Sequence, residues 1–326
     1  MNRYHLMHVT EFHYDGPVSE SYNEVRLRPI HDETQSCLSF RLTTLPNSRA
    51  TAYHDSFGNW VHQFNVLEEH RCLRVEAESV VLAHETSSNG SASMSLSEFD
   101  SHGSELSEPY FEFLAPTGYV PHLRQLQELS KMADSNSGGT VLGFAQATST
   151  LIHERFQYVT GATQVHSSVE HSLSIGAGVC QDFAHLVLAV VRMRGIPGRY
   201  VSGYLVPQGT AEPTANVEEV IGGQASHAWA EVYVAGTGWV GLDPTLGAAV
   251  GLRHVRVAYG RDYGDVAPVR GVYKGHAGQR LSVDVRVRPA VDDDGNEQLQ
   301  RTAARPTQES VQDRAQQFEQ QQQQQQ

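Results

Sequence analysis

No apolar run in these 326 residues approaches the ~20 that a membrane-spanning helix needs, and the opening MNRYHLMHVT lacks the basic-then-apolar order of a secretory signal. Both absences point to a soluble chain. Cysteine is scarce. Cys37, Cys72 and Cys180 cannot all pair, and without a signal segment they fit a reducing cytoplasm, where a thiol nucleophile stays active. Neither HExxH nor CxxC occurs, and the 17 histidines are scattered. His166, His171 and His185 flank Cys180, but their spacing matches no common metal site, so neither a metal nor another cofactor is expected. Basic charge is also short. A formal net charge of −13 repels polyanions at long range and argues against a general binder of nucleic acid or anionic membrane.

What is there divides along the chain. Residues 2 to about 84 alternate as strands do, in YHLMHV, NEVRLRP, SCLSFRLTT, WVHQFNVLE and CLRVEAESVVL, with turn signals at Asp15-Gly16-Pro17, Leu45-Pro46-Asn47 and Phe57-Gly58-Asn59. This reads as an all-β, sandwich-like domain over 1–84, with Cys37 and Cys72 inside strands as core residues. The serine-rich segment 85–107 reads as a flexible linker. Helical spacing follows in PHLRQLQELSKMA and again from Gly139 to Tyr158, while Val159 to Ser174 is polar and reads as a loop rimming a cleft. A last strand, LSVDVRVRP, ends near Arg288. Residues 289–326, acidic, polar and finally polyglutamine, have almost nothing to bury and are expected to be disordered.

The stretch GAGVCQDFAHLVLAVVRMRGIPGRYVSGY, Gly176 to Tyr204, organises the rest. Cys180 follows a glycine-rich turn and precedes Phe183, Leu186, Val187, Val190 and Met193 at helical spacing, which puts the thiol at a helix N-terminus. Unpaired backbone N–H groups and the positive end of the helix dipole favour a thiolate there. The alternative is that Cys180 is a small buried hydrophobe, as most free cysteines are. Asp182, in the first turn, complements the dipole more readily than it serves catalysis.

Downstream, SHAWAEVYVAGTGWVGLDPTL reads as a hairpin. His227, Trp229, Glu231 and Tyr233 share one face, and the second strand stops at Asp243-Pro244. Its turn falls midway between His227 and Asp243, so a bulge or diagonal pairing brings the two side chains together. A histidine oriented by a carboxylate is two thirds of a triad, and Cys180 is the candidate nucleophile. Trp229 and Glu231 either line the cleft or pack beneath it.

The order Cys180, His227, Asp243, within GVCQDFAHL, SHAWAEVYV and GWVGLDPT, resembles the bacterial transglutaminase-like family, a branch of the papain-like cysteine enzymes. YHLMHVTEFHYDGPVSESYNEVRLRP looks like the small β domain that precedes the core in that family, and the resemblance runs from about Tyr4 to Arg288. It implies an α+β protein whose core, residues 108–288 with the final strand included, packs a cysteine-bearing helix on an antiparallel sheet. It also implies Cys180 as nucleophile, His227 as general base and Asp243 as orienting carboxylate in a catalytic triad acting through an acyl-enzyme. The backbone N–H of Cys180 is the natural first oxyanion donor, with Tyr158 or Gln164 as candidates for a second. Calcium-dependent animal transglutaminases carry a tryptophan near the cysteine and GAGVC has none, so a hydrolase acting on a peptide or protein, a cysteine protease or amidase, is favoured. Protein-glutamine crosslinking or deamidation comes next, and then a non-catalytic binding module on the same scaffold. Arg261, Asp262, Tyr263, Asp265 and Arg270, in a polar and aromatic loop from Tyr259 to Gly275, either fold over the cleft and help choose the substrate or form ion pairs that stitch the core to the β domain.

Overall fold

Alternation over the first 25 residues produces one long strand, β1 (Asn2–Val25), that changes partners part-way along. The computed structural model describes residues 1–85, 94–207 and 226–290. From Asn2 to His13, β1 pairs antiparallel with β5 (His70–Ala83), whose other edge takes β2 (Gln35–Leu45). The register shifts between His13 and Val18, across Asp15-Gly16-Pro17, and from Ser21 onward β1 pairs with β4 (Trp60–Val66), which forms a hairpin with β3 (Thr51–His54). Changing partners along one strand bends the sheet on itself. The expected sandwich is therefore a single curled sheet, in the order β2-β5-β1-β4-β3. Tyr14, Val18, Val25, Phe64, Leu73 and Val75 fill the curl.

The serine-rich segment is not a linker throughout. Residues 86–93 lie outside the described residues, but Leu96–Ser107 is a helix, α1. Ser95 and Glu98 form a reciprocal cap: the Ser95 hydroxyl accepts from the Glu98 N–H at 3.2 Å and Glu98 Oε2 accepts from the Ser95 N–H at 3.0 Å. Leu96 and Phe99, on one helical face, are buried in the core. A cap and two anchors outweigh the poor helix propensity of the serines.

The core follows the expected plan. Helices α2 (Gln127–Ser135) and α3 (Val141–Arg155) precede a two-residue strand β6 (Gln157–Tyr158), a short helix α4 (Val169–Ile175) inside the predicted loop, and β7 (Ala177–Gly178), which pairs with β6. Cys180 opens α5 (Cys180–Met193), in which every residue from Asp182 to Arg192 is buried. Such a helix is a central one. It packs on a five-stranded sheet on one side and on α2, α3 and α4 on the other, where Leu186, Val187 and Val190 are each worth about 1.5–3 kcal/mol of burial.

That sheet comprises β8 (Gly198–Leu205), β9 (Ser226–Val234), β10 (Gly238–Asp243), β11 (Ala248–Ala249) and β12 (His254–Gly260), antiparallel in the order β11-β10-β9-β8-β12. A four-residue helix α6 (Tyr263–Val266) leads to β13 (Val269–Lys274) and β14 (Gln279–Pro289), both of which pair with β1. The final strand thus belongs to the N-terminal sheet and not to the core, because its partner lies at the opposite end of the chain. The predicted disordered tail lies outside the described residues from 291 onward.

The two sheets are joined along β12. Gln35 imitates a neighbouring strand: its Oε1 accepts from the Arg256 N–H at 2.8 Å and its Nε2 donates to the Arg256 carbonyl at 2.7 Å. Asn59 does the same for Tyr259, at 2.9 and 2.8 Å. Tyr4, Leu6, Val81 and Ala83 of the N-terminal sheet pack against Tyr204, Val255 and Val257 of the core. The free edge of β12 is satisfied by side-chain amides, which fixes the strand that delivers His254 to the site.

Candidate active site

Cys180 is placed by the turn before it. Gly176 caps α4 with φ 66°, and β7 brings Gly178 beside Tyr158. Asp182, one turn ahead, reaches back so that its Oδ2 accepts from the Val179 N–H at 2.8 Å and from the Thr163 hydroxyl at 2.5 Å. It is buried and caps α5, a contact more specific than the complement to the helix dipole that its place in the first turn suggested.

His227 and Asp243 come together as the hairpin predicts. Register pairs Leu242 with Ala230, so Asp243 faces Trp229 and meets His227 diagonally, with His227 Nε2 2.7 Å from Asp243 Oδ2. Both side chains are fully buried. Oδ1 of the same carboxylate accepts from the backbone N–H groups of Thr245 at 2.9 Å and Leu246 at 3.2 Å. Burial alone would raise the Asp243 pKa, but the hydrogen bonds from His227 and His254 hold the carboxyl well below its usual range. Burial likewise opposes protonation of His227, yet the hydrogen bond to Asp243, with Cys180 close by and the negative charge of Asp243, raises the imidazole to about 10. With Nε2 committed to Asp243, the buried Nδ1 has no ordinary hydrogen-bond partner and is the nitrogen left to face the cysteine.

Tyr158 stands in the same cluster. Burial, then the negative charges of Cys180, Asp182 and Asp243 around it, push its phenol well above the usual value and keep it a neutral O–H donor. Gln164, on the 159–168 loop, is exposed. Trp229 is completely buried beneath the site, its ring filling the space a Cβ on Gly203 would need, at 2.5 Å. Glu231 is also beneath, bonded to Arg199 at 2.7 Å and to Arg256 at 3.2 Å.

The residues of the Tyr259–Gly275 segment are mostly engaged with one another and with the core. Arg261 and Asp265 form an ion pair at 2.9 Å, and Asp262 caps α6 through the Gly264 N–H at 2.7 Å. Tyr263 packs edge-on against Tyr119 and Tyr200, and exposed Arg270 sits on β13 opposite Glu24. His185 lies between Tyr119 and Tyr200, with burial lowering its pKa to about 3.

Sequence reasoning missed His254. Its Nε2 lies 3.0 Å from Asp243 Oδ2, although β10 and β12 are separated in the sheet by β9 and β8. HVRVAYG alternates as a strand, but no motif marks its first residue. His227, Asp243 and His254 are the one cluster of ligand-type groups among the described residues, with polar atoms all within 4.8 Å. Hydrogen bonding disfavours a cation there. The Gly251 N–H donates to His254 Nδ1 at 3.2 Å, which puts the ring proton on Nε2, the atom a cation would need.

Residues 4–82 match the model of the bacterial transglutaminase-like N-terminal region, and residues 130–244 match that of the transglutaminase-like superfamily. An uncharacterised protein of Mycobacterium leprae is 35% identical over 287 residues, covering 88% of this chain and 99% of that one. The chain belongs to the transglutaminase-like superfamily. An uncharacterised Mycobacterium tuberculosis protein is 31% identical over 315 residues, 88% of this chain and 93% of the relative. A protein-glutamine gamma-glutamyltransferase of Pseudomonas aeruginosa is 31% identical over 134 residues, 40% of this chain but 19% of that protein. Among solved structures, a candidate cysteine protease from Cytophaga hutchinsonii shares the fold at a TM-score of 0.65 and 22% identity, over 90% of this chain and 92% of that one. The transglutaminase-like core is thus the part that carries Cys180, His227 and Asp243, and His254 lies ten residues beyond the matched segment, which ends at residue 244.

Proposed function

We propose that the protein opens an amide or peptide bond through an acyl-enzyme on Cys180, with His227 as the acid–base group and Asp243 as its orienting carboxylate. The observation that carries this reading is buried His227 with Nε2 on the Asp243 carboxylate and Nδ1 without a hydrogen-bond partner, close enough to Cys180 for the two to interact electrostatically. The Cys180 thiolate attacks the carbonyl carbon, and the electron pair of the C=O moves to oxygen. As the tetrahedral intermediate collapses, the C–N bond breaks, and the departing amine takes the proton from His227 Nδ1. A thioester remains. Neutral His227 then removes a proton from water, the hydroxide adds to the thioester carbonyl, and the thiolate leaves as the acid forms. The Cys180 backbone N–H, at the start of α5, and the neutral Tyr158 hydroxyl are the candidate donors to the oxyanion.

The second reading replaces water with a primary amine and takes a glutamine carboxamide as the acyl donor. The Pseudomonas relative, named for gamma-glutamyl transfer, supports it. Both reactions use one thioester and differ only in what resolves it. Incubating the protein with a peptide mixture, with and without a primary amine, and following product masses separates them. Peptides shortened by hydrolysis support the first reading, amine adducts or deamidated glutamine support the second, and no turnover of any peptide leaves a binding module on the same scaffold.

A further inference from the structure

Asp243 accepts more hydrogen bonds than orienting one imidazole requires. Oδ1 takes two backbone N–H groups, and Oδ2 takes both His227 Nε2 at 2.7 Å and His254 Nε2 at 3.0 Å. A neutral imidazole has one N–H, and the Gly251 N–H at His254 Nδ1 forces that proton onto Nε2. His254 therefore faces the carboxylate as a donor in a fixed tautomer. Its ring is held in place: the side chain is 4% exposed, and Trp229 stands against it edge-on, with centroids 5.2 Å apart at 78°.

We propose that His254 is a positioning residue for the triad, donating to Asp243 Oδ2 so that the carboxylate stays ionised while His227 exchanges its proton. This rests on the triad reading given above. Without that donor, Oδ1 would keep its two backbone N–H groups but Oδ2 would keep only His227, and Asp243 would take up a proton at higher pH. The other titratable groups that face Asp243 are His227 from β9, Tyr158 from β6 and, through His227, Cys180 from α5. His153 on α3 is turned to the Pro244 carbonyl instead, at 3.1 Å. Neither Tyr158 nor Cys180 donates to Oδ2, so the second hydrogen bond there depends on His254 alone among these groups.

The test is the rate of Cys180 alkylation by iodoacetamide against pH in four proteins: wild type, His254→Leu, His254→Gln and Asp243→Asn. Leucine fills the space without a donor, and the glutamine amide can place an N–H where Nε2 stands. The acid limb of the profile should rise by about one pH unit in His254→Leu, the worth of one hydrogen bond to a charged group, and return in His254→Gln. Thermal melts accompany each profile. Should the leucine variant fail to fold, His254→Asn, whose amide stops short of Oδ2, takes its place with the same expectation. A folded donor-less variant with the wild-type profile overturns the proposal, as does a glutamine variant no better than the donor-less one, since space alone would then be what His254 provides. A profile altered by Asp243→Asn but not by removing His254 leaves the triad reading intact and sinks only His254. A wild-type Cys180 no faster than the other two cysteines sinks both.

Discussion

His227 and Asp243 meet across one pleat of the β9–β10 pair and not face to face: the residue opposite Asp243 is Trp229, and the histidine is its diagonal neighbour on the same side. Fully buried Trp229 lies beside the pair, its ring centroid 6.2 Å from that of His227, and the side chains of both His227 and Asp243 are shut off from water. In such a setting the Coulombic coupling between them is far stronger than at a surface.

Asp243→Asn replaces the anion and leaves the shape. The protein should fold, and kcat should fall by orders of magnitude, about 10⁴-fold in the best-studied serine triad, because the amide N–H can donate to Nε2 and so fix the wrong tautomer of the His227 ring, and the neutral amide cannot balance the imidazolium charge. Wild-type turnover in this variant would remove Asp243 from the mechanism.

Stability should depend on pH with signs set by the same pair. His227 is raised above its unfolded value, so its contribution is complete below about pH 6.5 and is lost as pH rises toward about 10. Asp243 is lowered, so its contribution is present above about pH 4 and is lost as pH falls through its folded value. The difference in unfolding free energy between wild type and His227→Gln, measured by urea melts, should be flat from about pH 4 to 6.5 and shrink on the alkaline side. A difference that grows with pH would contradict the charge assignment.

Gly178→Ala tests the turn that presents the thiol. A Cβ there would lie 2.7 Å from Asp182 Cβ and 2.8 Å from its Oδ2, so Asp182 would have to leave the Val179 N–H. Loss of a helix cap costs about 1 kcal/mol, and Cys180 would shift with it. A thermal melt and a turnover assay should both fall; an unchanged melting temperature would mean the turn has room to adjust.

The positions of the three residues of the proposed triad were legible because each is marked by local chemistry: Cys180 by the glycine turn and helix start, His227 and Asp243 by strand alternation and the proline that stops β10. His254 was not, since its contact depends on how the chain from Gly251 crosses the end of the sheet, and nothing near it in sequence records that path. The same holds for β13 and β14, whose partner is the first strand of the chain. Helix α1 was hidden for a different reason: its Ser95–Glu98 cap reads as one more pair of polar residues in a serine-rich stretch, and only the burial of Leu96 and Phe99 separates it from a linker.

The central claim, that Cys180 is the nucleophile activated by His227, is tested most directly by competitive labelling of the three free cysteines with iodoacetamide at neutral pH, read by peptide mass. Burial pushes the thiols of Cys37 and Cys72 up, with Arg28 opposing the shift at Cys37 and Glu11 adding to it at Cys72. Cys180 instead lies beside an imidazole held protonated by Asp243. Cys180 should be labelled well before the other two, and His227→Ala should bring its rate down to theirs. Equal labelling of all three cysteines in the native protein, or a Cys180 rate indifferent to His227, would contradict the account.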